Sequence, residues 1–282
     1  MHIPAIQLKR PFSEEEARPV VLETCDQENA TRKRLRILTY NIQAGIASNA
    51  YHHYLTNSWK HFLPCADKRE NLDRIANLVK DYDMVGLQEV DAGSFRSGFV
   101  NQTKYLASRG EFPHWHHHTN RNFGRFAKHS IGFLSRYKMS AVEGHKLPGL
   151  IPGRGALALR FGVGKDAVIL ITVHLALNKY ARLRQLAYIS AIAADYEHII
   201  LMGDLNCEAD SREMKGLLAC TLLHPPIHGL RTFPSWQPVR GLDHILTSPS
   251  VTIENAKVLS CPYSDHLPIA MEVSLPASVS ME

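Results

Sequence analysis

Several apolar segments of this chain end in an amide, an acid or a histidine. Asn41, Glu89, His174 and Asp204 each stand at or near the end of a run rich in aliphatic residues. Such runs predict buried strands, and polar groups are tolerated at strand ends because the ends reach water or a cleft. If these ends meet on one rim, rigid strands hold a polar site above a packed core.

The remaining pattern alternates strands with helices, which predicts an α/β fold. Strands are predicted over 35–42, 83–90, 130–135, 156–162, 167–174, 198–206, 242–247, 251–259 and 268–275, and helices over 67–82 and 180–196. No repeat and no linker interrupts this pattern. We therefore expect an N-terminal arm over 1–34, one domain over 35–277 and a short tail over 278–282.

A carboxylate at the end of a strand indicates a metal site. Glu89 follows an apolar strand, where a negative charge is costly unless it is neutralised. Mg²⁺ prefers oxygen ligands, and the amide oxygen of Asn41 is of that kind. The alternative is that Glu89 pairs with an arginine and Asn41 caps a turn.

Asp204 and Asn206 stand two residues apart after a third apolar run. In extended chain they share a side, where a carboxylate and an amide can hold and deprotonate a water. The alternative is a simple turn, because glycine, aspartate and asparagine are turn residues.

Histidines next to acids suggest acid–base chemistry. Asp265 precedes His266, and Asp243 opens an earlier strand. A carboxylate such as Asp243 would fix the tautomer of His266. His174, at the end of its strand, could donate to a phosphoryl oxygen, although a single histidine there is usually structural.

Taken together and in order, six short motifs resemble the endonuclease/exonuclease/phosphatase superfamily across roughly residues 35–275. They are Leu38-Thr39-Tyr40-Asn41-Ile42, Leu87-Gln88-Glu89-Val90, Thr172-Val173-His174-Leu175, Gly203-Asp204-Leu205-Asn206, Leu242-Asp243-His244-Ile245 and Ser264-Asp265-His266-Leu267-Pro268. The style of the motifs looks most like small bacterial members, which are similar to the nuclease-like domain of proteins that remodel the lipids of glycosylphosphatidylinositol anchors.

This resemblance implies a four-layer αββα sandwich of two mixed β-sheets flanked by helices, and a phosphoester hydrolase that uses Mg²⁺ or Mn²⁺. Asn41, Glu89 and Asp265 would bind the metal. The catalytic residues would be Asp204, Asn206, His174, Asp243 and His266. The resemblance leaves open whether Asp204 or His266 acts as the base.

Composition bears on the charge of the substrate and on where in the cell the protein would act. The formal net charge of +5 suits an anionic substrate but is far from the dense basic stripe of a DNA-binding domain. No apolar run reaches the roughly 18 residues of a membrane span, and the first residues lack the features of a signal peptide. Five scattered cysteines fit reduced thiols. We therefore expect a cytoplasmic monomer.

The substrate is less constrained than the chemistry. Arg96, Asn101 and Arg121 are predicted substrate contacts, since they follow the metal-site motif or join Arg125 and Lys128 in a basic segment. A lipid head group or small organophosphate is ranked ahead of DNA or RNA, and a catalytically silent phosphate-binding module is third. His174 replaces the tyrosine of the family's apurinic endonucleases, which disfavours base-excision repair.

Two further segments have competing interpretations. Aromatic and apolar residues recur at helical spacing over 50–63, including Trp59 and Phe62, which predicts a helix packed on the sandwich or, as the alternative, one that makes peripheral contact with a membrane. The histidine-rich run His114 to His118 is interpreted as an ordinary strand rather than as a second metal site.

Overall fold

Two mixed β-sheets form the centre of the molecule in this computed structural model, which describes residues 32–46, 66–149 and 153–281. The first sheet has strand order β10-β11-β1-β2-β4-β3, and the second has β5-β6-β7-β8-β9. Each sheet contains one parallel pair, β1 with β2 and β7 with β8, among antiparallel neighbours. The aromatic segment over 50–63 and residues 1–31 of the predicted arm lie outside the described residues.

The strands carry these bounds: β1 Lys33–Asn41, β2 Met84–Asp91, β3 His114–Asn122, β4 Lys128–Ser135, β5 Ala141–Lys146, β6 Gly155–Phe161, β7 Val168–His174, β8 His198–Asp204, β9 Asp243–Thr247, β10 Thr252–Val258 and β11 Ile269–Leu275. The α-helices are α1 Ala66–Val79, α2 Gln102–Arg109, α3 Lys179–Ala193 and α4 Arg212–Ala219.

The sheets pack face to face because alternate strand residues are apolar on the inner side. Ile37 and Phe133 of the first sheet lie in one buried cluster with Leu159 and Leu170 of the second. Val279 and Met281, beyond the last strand, belong to the same cluster. This layer of side chains is the central core of the sandwich.

Helices cover the outer face of each sheet. Leu72 and Ile75 of α1 and Leu106 of α2 pack with Leu38 and Tyr40 of β1. On the other side, Leu186 and Ile189 of α3 and Met214 of α4 pack against strands of the second sheet. The predicted αββα sandwich is thus confirmed. No helix among the described residues is both long and apolar enough to cross a bilayer.

Helix boundaries differ modestly from the predicted ones. The helix predicted over 67–82 ends at Val79, and the one predicted over 180–196 ends at Ala193. In both cases the apolar spacing runs on into the loop, where Tyr82 and Tyr196 still pack partly buried against the helix layer. Periodicity therefore extends beyond the helical hydrogen bonds.

Candidate active site

The polar strand ends converge at one edge of the sandwich. Asn41 ends β1, His174 ends β7, Asp204 ends β8 and Asp243 begins β9. The register places His174 beside Asp204, and Asp204 beside Asp243. The first sheet supplies Asn41, and its amide Nδ2 donates to Asp204 Oδ2 across the gap between the sheets at 3.1 Å.

Gly203 explains how β8 can deliver Asp204 to this edge. Its φ is +140°, and a Cβ at this position would lie 2.0 Å from the backbone oxygen of Val173. Only glycine can occupy such a place without moving the neighbouring strand. The Gly-Asp order in the motif is therefore a packing requirement of β7 against β8.

Asp204 lies at the centre of the site. Its Oδ2 is 3.5 Å from His174 Nε2 and 3.9 Å from His266 Nε2. Its Oδ1 accepts from the backbone N–H of Asn206 at 2.9 Å. Burial raises the pKa of Asp204 to about 7, with Asp243 adding to the rise and the charge of His266 opposing it. A carboxyl group with such a pKa can exchange a proton near neutral pH.

His266 and Asp243 form the hydrogen-bonded pair expected from the sequence. His266 Nδ1 lies 2.7 Å from Asp243 Oδ2, and Thr232 Oγ1 donates to that same oxygen at 2.5 Å. Burial lowers the pKa of His266, but the charges of Asp243 and Asp204 outweigh burial and hold it well above its usual range. This shift favours the protonated imidazole, which can donate from Nε2.

His174 has the opposite electrostatic setting. Arg154 Nη1 lies 2.8 Å from His174 Nδ1 and also contacts Nε2. Burial, followed by the charges of Arg154 and His266, lowers the pKa of His174 well below its usual value. Because a guanidinium can only donate, the neutral ring of His174 accepts from Arg154.

Glu89 lies at a break in the regular pairing of β2 with β4. The pairing of β2 with β4 shifts register between Leu87 and Val90, and Glu89 has a φ of +56°. Left-handed backbone at a non-glycine residue costs free energy and recurs at functional sites. The side chain is 37% exposed and its Oε1 lies 3.7 Å from His174 Nε2. Asn206 shares this backbone state, with a φ of +52°.

The oxygen groups around Glu89 fit a divalent cation. Although the Glu89 side chain is 37% exposed, its partial burial and the nearby charge of Asp265 raise its pKa, whereas Arg154, His266 and a hydrogen bond from Asn41 lower it. The carboxylates of Glu89 and Asp265 and the amide of Asn41 offer oxygen ligands, and a hard cation bound among them would offset the effect of the Asp265 charge on Glu89. Asp265 is buried and its Oδ1 accepts from Ser264 Oγ at 3.0 Å.

A second arrangement of ligand-type atoms lies close by. Asp204, Asp243 and His266 place such atoms within 4.8 Å of one another, and no equivalent group occurs in the His114–His118 run of the described chain. His266 Nδ1 already contacts Asp243 Oδ2, so only Nε2 of this histidine faces Asp204. One oxygen of Asp243, Oδ1, is buried without a partner among the described residues. A water would satisfy it.

Of the three predicted substrate contacts, only Arg121 lines the cleft. That cleft has a volume of about 220 Å³ and also contains Glu89, His129, Arg154 and His174. Arg96 is buried, and its Nε donates to Asp91 Oδ2 at 2.6 Å. Asn101 caps α2, its Oδ1 accepting from the backbone N–H of Lys104. The structure does not bring Arg96 or Asn101 to the cleft.

Two residues at the site were not singled out from the sequence. Arg154 precedes β6, whose first residue, Gly155, pairs with His174. Thr232 lies in the loop before β9 and reaches Asp243. A polar residue placed immediately before a strand is the signal that would have identified Arg154. Thr232 offers no comparable signal.

Comparisons with known proteins agree with this geometry. A sequence model described as the Endonuclease/Exonuclease/phosphatase family matches residues 38–266. A search among curated proteins found no match.

Solved structures share the fold at low sequence identity. An endonuclease/exonuclease/phosphatase from Beutenbergia cavernae is 19% identical, with 86% of this chain and 72% of that chain covered and a TM-score of 0.67. A mannosyl-6-phosphatase from Bacteroides thetaiotaomicron is 17% identical over 85% of this chain and 99% of that chain, with a TM-score of 0.62. A humanized D. rerio TDP2 is 17% identical over 85% and 98% of the two chains, with a TM-score of 0.59. The family match covers most of the chain and every motif from Asn41 to His266, so the chain belongs to the endonuclease/exonuclease/phosphatase family of phosphoester hydrolases.

Proposed function

We propose that this protein hydrolyses phosphodiester bonds with a divalent cation, Mg²⁺ or Mn²⁺, by attack of an activated water. The observation that carries the proposal is the setting of Asp204. Its carboxylate lies between a neutral histidine, His174, and a protonated one, His266, at 3.5 and 3.9 Å. Two histidines of opposite protonation around one carboxylate suit proton transfer at a single centre.

The directions of the pKa shifts support one division of roles among these residues. Asp204, with a pKa raised to about 7, accepts the proton of the water. His266, with its pKa raised, is already protonated and donates from Nε2 to the phosphoryl or leaving oxygen, while Asp243 holds Nδ1. These roles favour Asp204 over His266 as the base.

Asn41, Glu89 and Asp265 would hold the cation, as proposed from the sequence. A cation bound there acts as a Lewis acid on a phosphoryl oxygen. Arg154 and Arg121 line the same cleft and supply positive charge for the phosphoryl oxygens. Arg154 also orients His174, so it serves both the phosphate and the catalytic ring. Asn206 donates from Nδ2 to the backbone oxygen of Leu175, which fixes its amide beside Asp204.

A second cavity supports a compact substrate ahead of a nucleic acid. It has a volume of about 390 Å³, adjoins the catalytic cleft at Arg154, and is lined partly by Ala176, Leu177, Tyr180 and Ala181. Apolar walls beside a phosphate site suit a small organophosphate or a lipid head group with an uncharged portion. The mannosyl-6-phosphatase and TDP2 are each only 17% identical to this chain and share its fold, so they do not choose between these classes.

The test compares hydrolysis of bis(p-nitrophenyl) phosphate and p-nitrophenyl phosphate with and without Mg²⁺ or Mn²⁺. We expect metal-dependent turnover, abolished by EDTA and restored by added metal, and lost in Asp204→Asn and Glu89→Gln. Asp195→Asn, at an exposed position, is the matched control and keeps full activity. A folded protein that neither turns over these esters nor binds Mn²⁺ in calorimetry would favour the phosphate-binding module. DNA and RNA oligonucleotides are the second substrate class to assay.

A further inference from the structure

Two loops beside the catalytic cleft carry a cluster of phenylalanines. One loop follows β2 and contains Phe95 and Phe99, and the other is the β3–β4 turn with Phe123 and Phe126. The loops are joined by backbone hydrogen bonds from Phe95 N to Arg125 O at 2.7 Å and from Arg96 N to Phe126 O at 3.3 Å. These four side chains are called the Phe patch below.

The Phe patch is exposed. The exposed fractions are 40% for Phe95, 56% for Phe99, 45% for Phe123 and 75% for Phe126. Isolated exposed apolar residues are ordinary on protein surfaces, but here two hydrogen-bonded loops bring four exposed aromatic rings to one region of the surface. Such a surface indicates a binding face.

Phe99 adds a conformational cost to this exposure. Its φ is +62°, a left-handed backbone that bulky residues rarely adopt. The ring gains little burial in return, since its described ring contacts are an edge contact with Phe95 at 6.3 Å and Arg125 at 5.7 Å. A binding partner that covers the Phe99 ring would explain why the chain tolerates this backbone strain.

Positive charge lies beside the Phe patch. Arg121, Arg125 and Lys128 lie in or next to the β3–β4 turn, and residues 92–101 and 119–128, which carry the four rings, contain no acidic residue. The guanidinium of Arg121 lies 4.2 Å from the centre of the Phe123 ring. The two loops therefore carry apolar rings together with cations and no acidic residue, which matches an anionic partner with an apolar interior.

The Phe patch is continuous with the catalytic cleft. The ring of Phe123 contacts that of His129 at 6.0 Å between centroids, and His129 and Arg121 line the cleft that contains Glu89. A partner seated on the Phe patch would thus lie next to the phosphoester site.

We propose that the Phe patch and its bordering arginines dock the protein on the surface of an anionic phospholipid bilayer. The Phe rings enter the boundary between head groups and acyl chains, and Arg121, Arg125 and Lys128 approach the lipid phosphates. This binding does not depend on hydrolysis, so it is separate from the proposed function.

Single-stranded nucleic acid fits the same surface less well. Base stacking needs free aromatic faces spaced along a track for the backbone. Here guanidinium groups lie over Phe99 and Phe123, and Phe95 meets Phe99 edge-on at 73°. The rings are gathered at two neighbouring loop tips rather than spread along a groove. This geometry suits insertion as a group.

Co-sedimentation with vesicles tests the proposal on the full chain without substrate. One set of vesicles is phosphatidylcholine alone, and the other is an equal mixture of phosphatidylcholine and phosphatidylglycerol. We expect binding to the mixed vesicles that weakens with added salt, and a much weaker interaction with phosphatidylcholine alone. The double variant Phe99→Asn/Phe126→Ser should lower the partition coefficient at least about tenfold, because two rings no longer leave water.

The variants are chosen to separate docking from folding. Asparagine tolerates the left-handed backbone at position 99, and Phe126 is largely in solvent already, so thermal unfolding should be unchanged. Val163→Ser/Leu222→Ser removes apolar side chains of similar exposure, 78% and 59%, from other surfaces and should bind as the parent does. Arg125→Glu tests the charge and should lose binding to mixed vesicles.

Three results would overturn the proposal. The first is no binding of the parent protein to mixed vesicles. The second is equal binding by the parent and the double variant, which would move any membrane contact elsewhere on the chain. The third is tight binding of a single-stranded oligonucleotide, lost in the double variant, with no binding to vesicles.

Discussion

Asp91 is buried at the end of β2, and removing its charge should destabilise the domain strongly. Six donors surround its carboxylate, all between 2.6 and 3.3 Å: the backbone N–H groups of Gly93, Ser94 and Lys128, the hydroxyls of Ser94 and Ser97, and Arg96 Nε. The side chains of Asp91 and Arg96 are 0% and 7% exposed. Neither partner can therefore turn to water if the other is lost.

The burial of both side chains determines how much stability Asp91→Asn should lose. Breaking a buried ion pair by removing one partner typically costs about 3–5 kcal/mol, because the other charge is left uncompensated. For a domain of this size each kcal/mol lowers the melting temperature by roughly 2–4 °C, so Asp91→Asn should lower it by roughly 6–20 °C. Glu70→Gln, at an exposed pair with Arg74, is the control and should change stability by less than about 0.5 kcal/mol.

The loss of stability caused by Asp91→Asn should become smaller at low pH. Burial raises the pKa of Asp91, but the hydrogen bond and charge of Arg96 outweigh burial and leave it below its usual value. A lowered pKa in the folded state contributes stability above the unfolded pKa of about 3.9, and this is lost as pH falls through the folded value. The gap in unfolding free energy between parent and Asp91→Asn should therefore narrow below about pH 4.

Urea unfolding of Asp91→Asn, Arg96→Met and the double variant measures these quantities. Coupling of the two sites should make the double variant at least about 1 kcal/mol more stable than the sum of the single effects predicts. Additive effects within about 0.5 kcal/mol, or a gap that stays constant down to pH 3, would refute the reasoning.

Three further changes test the active site and the packing beneath it. Asp243→Asn should lower kcat/KM about 10²–10⁴-fold. The alkaline limb of the pH profile of kcat/KM should also move to lower pH, because His266 loses the neighbouring charge that raises its pKa. An unchanged profile would contradict the role given to Asp243. Gly203→Ala should give little folded protein, because the Cβ of the new alanine would collide with a backbone oxygen. Gly216→Ala is the control: it lies on an open helix face and should raise stability by about 0.4–1 kcal/mol in thermal unfolding. Arg154→Lys should lower kcat on bis(p-nitrophenyl) phosphate without changing the melting temperature, because an ammonium cannot reproduce the guanidinium contact with the catalytic histidine; full kcat would argue against that role.

Much of the fold was predictable because its strands are long apolar runs. β7 and β8 are buried along their whole length, and their limits were predicted to within two residues. β5, α2 and α4 were missed for physical reasons. β5 is an edge strand whose residues are mostly exposed, so it carries little hydrophobic alternation. α2 and α4 have only eight residues each, which is too short for periodicity to identify.

The candidate site was predictable where motifs stand at strand ends, and less so where contacts come from distant loops. The neighbourhood of Asp204 and the pairing of His266 with Asp243 follow from strand order and were expected. Arg96 was expected at the substrate, yet it is held by Asp91 five residues earlier. Nothing in the sequence distinguishes an arginine that faces a cleft from one that neutralises a buried acid. That distinction depends on a loop conformation set by several hydrogen bonds at once.

The position of β1 in the first sheet affects how the protein can fold during its synthesis. β1 lies between β2 and β11, and its residues 33–39 pair with residues 269–275 at the other end of the chain. During synthesis on the ribosome, β1 can pair with β2 early but must keep its other edge open until almost the whole domain has emerged. An open strand edge invites pairing with other chains, so this interval is one in which chaperones would be needed. Asp265 and His266 lie just before β11, and the nascent chain therefore acquires its complete set of proposed catalytic residues only as that edge closes.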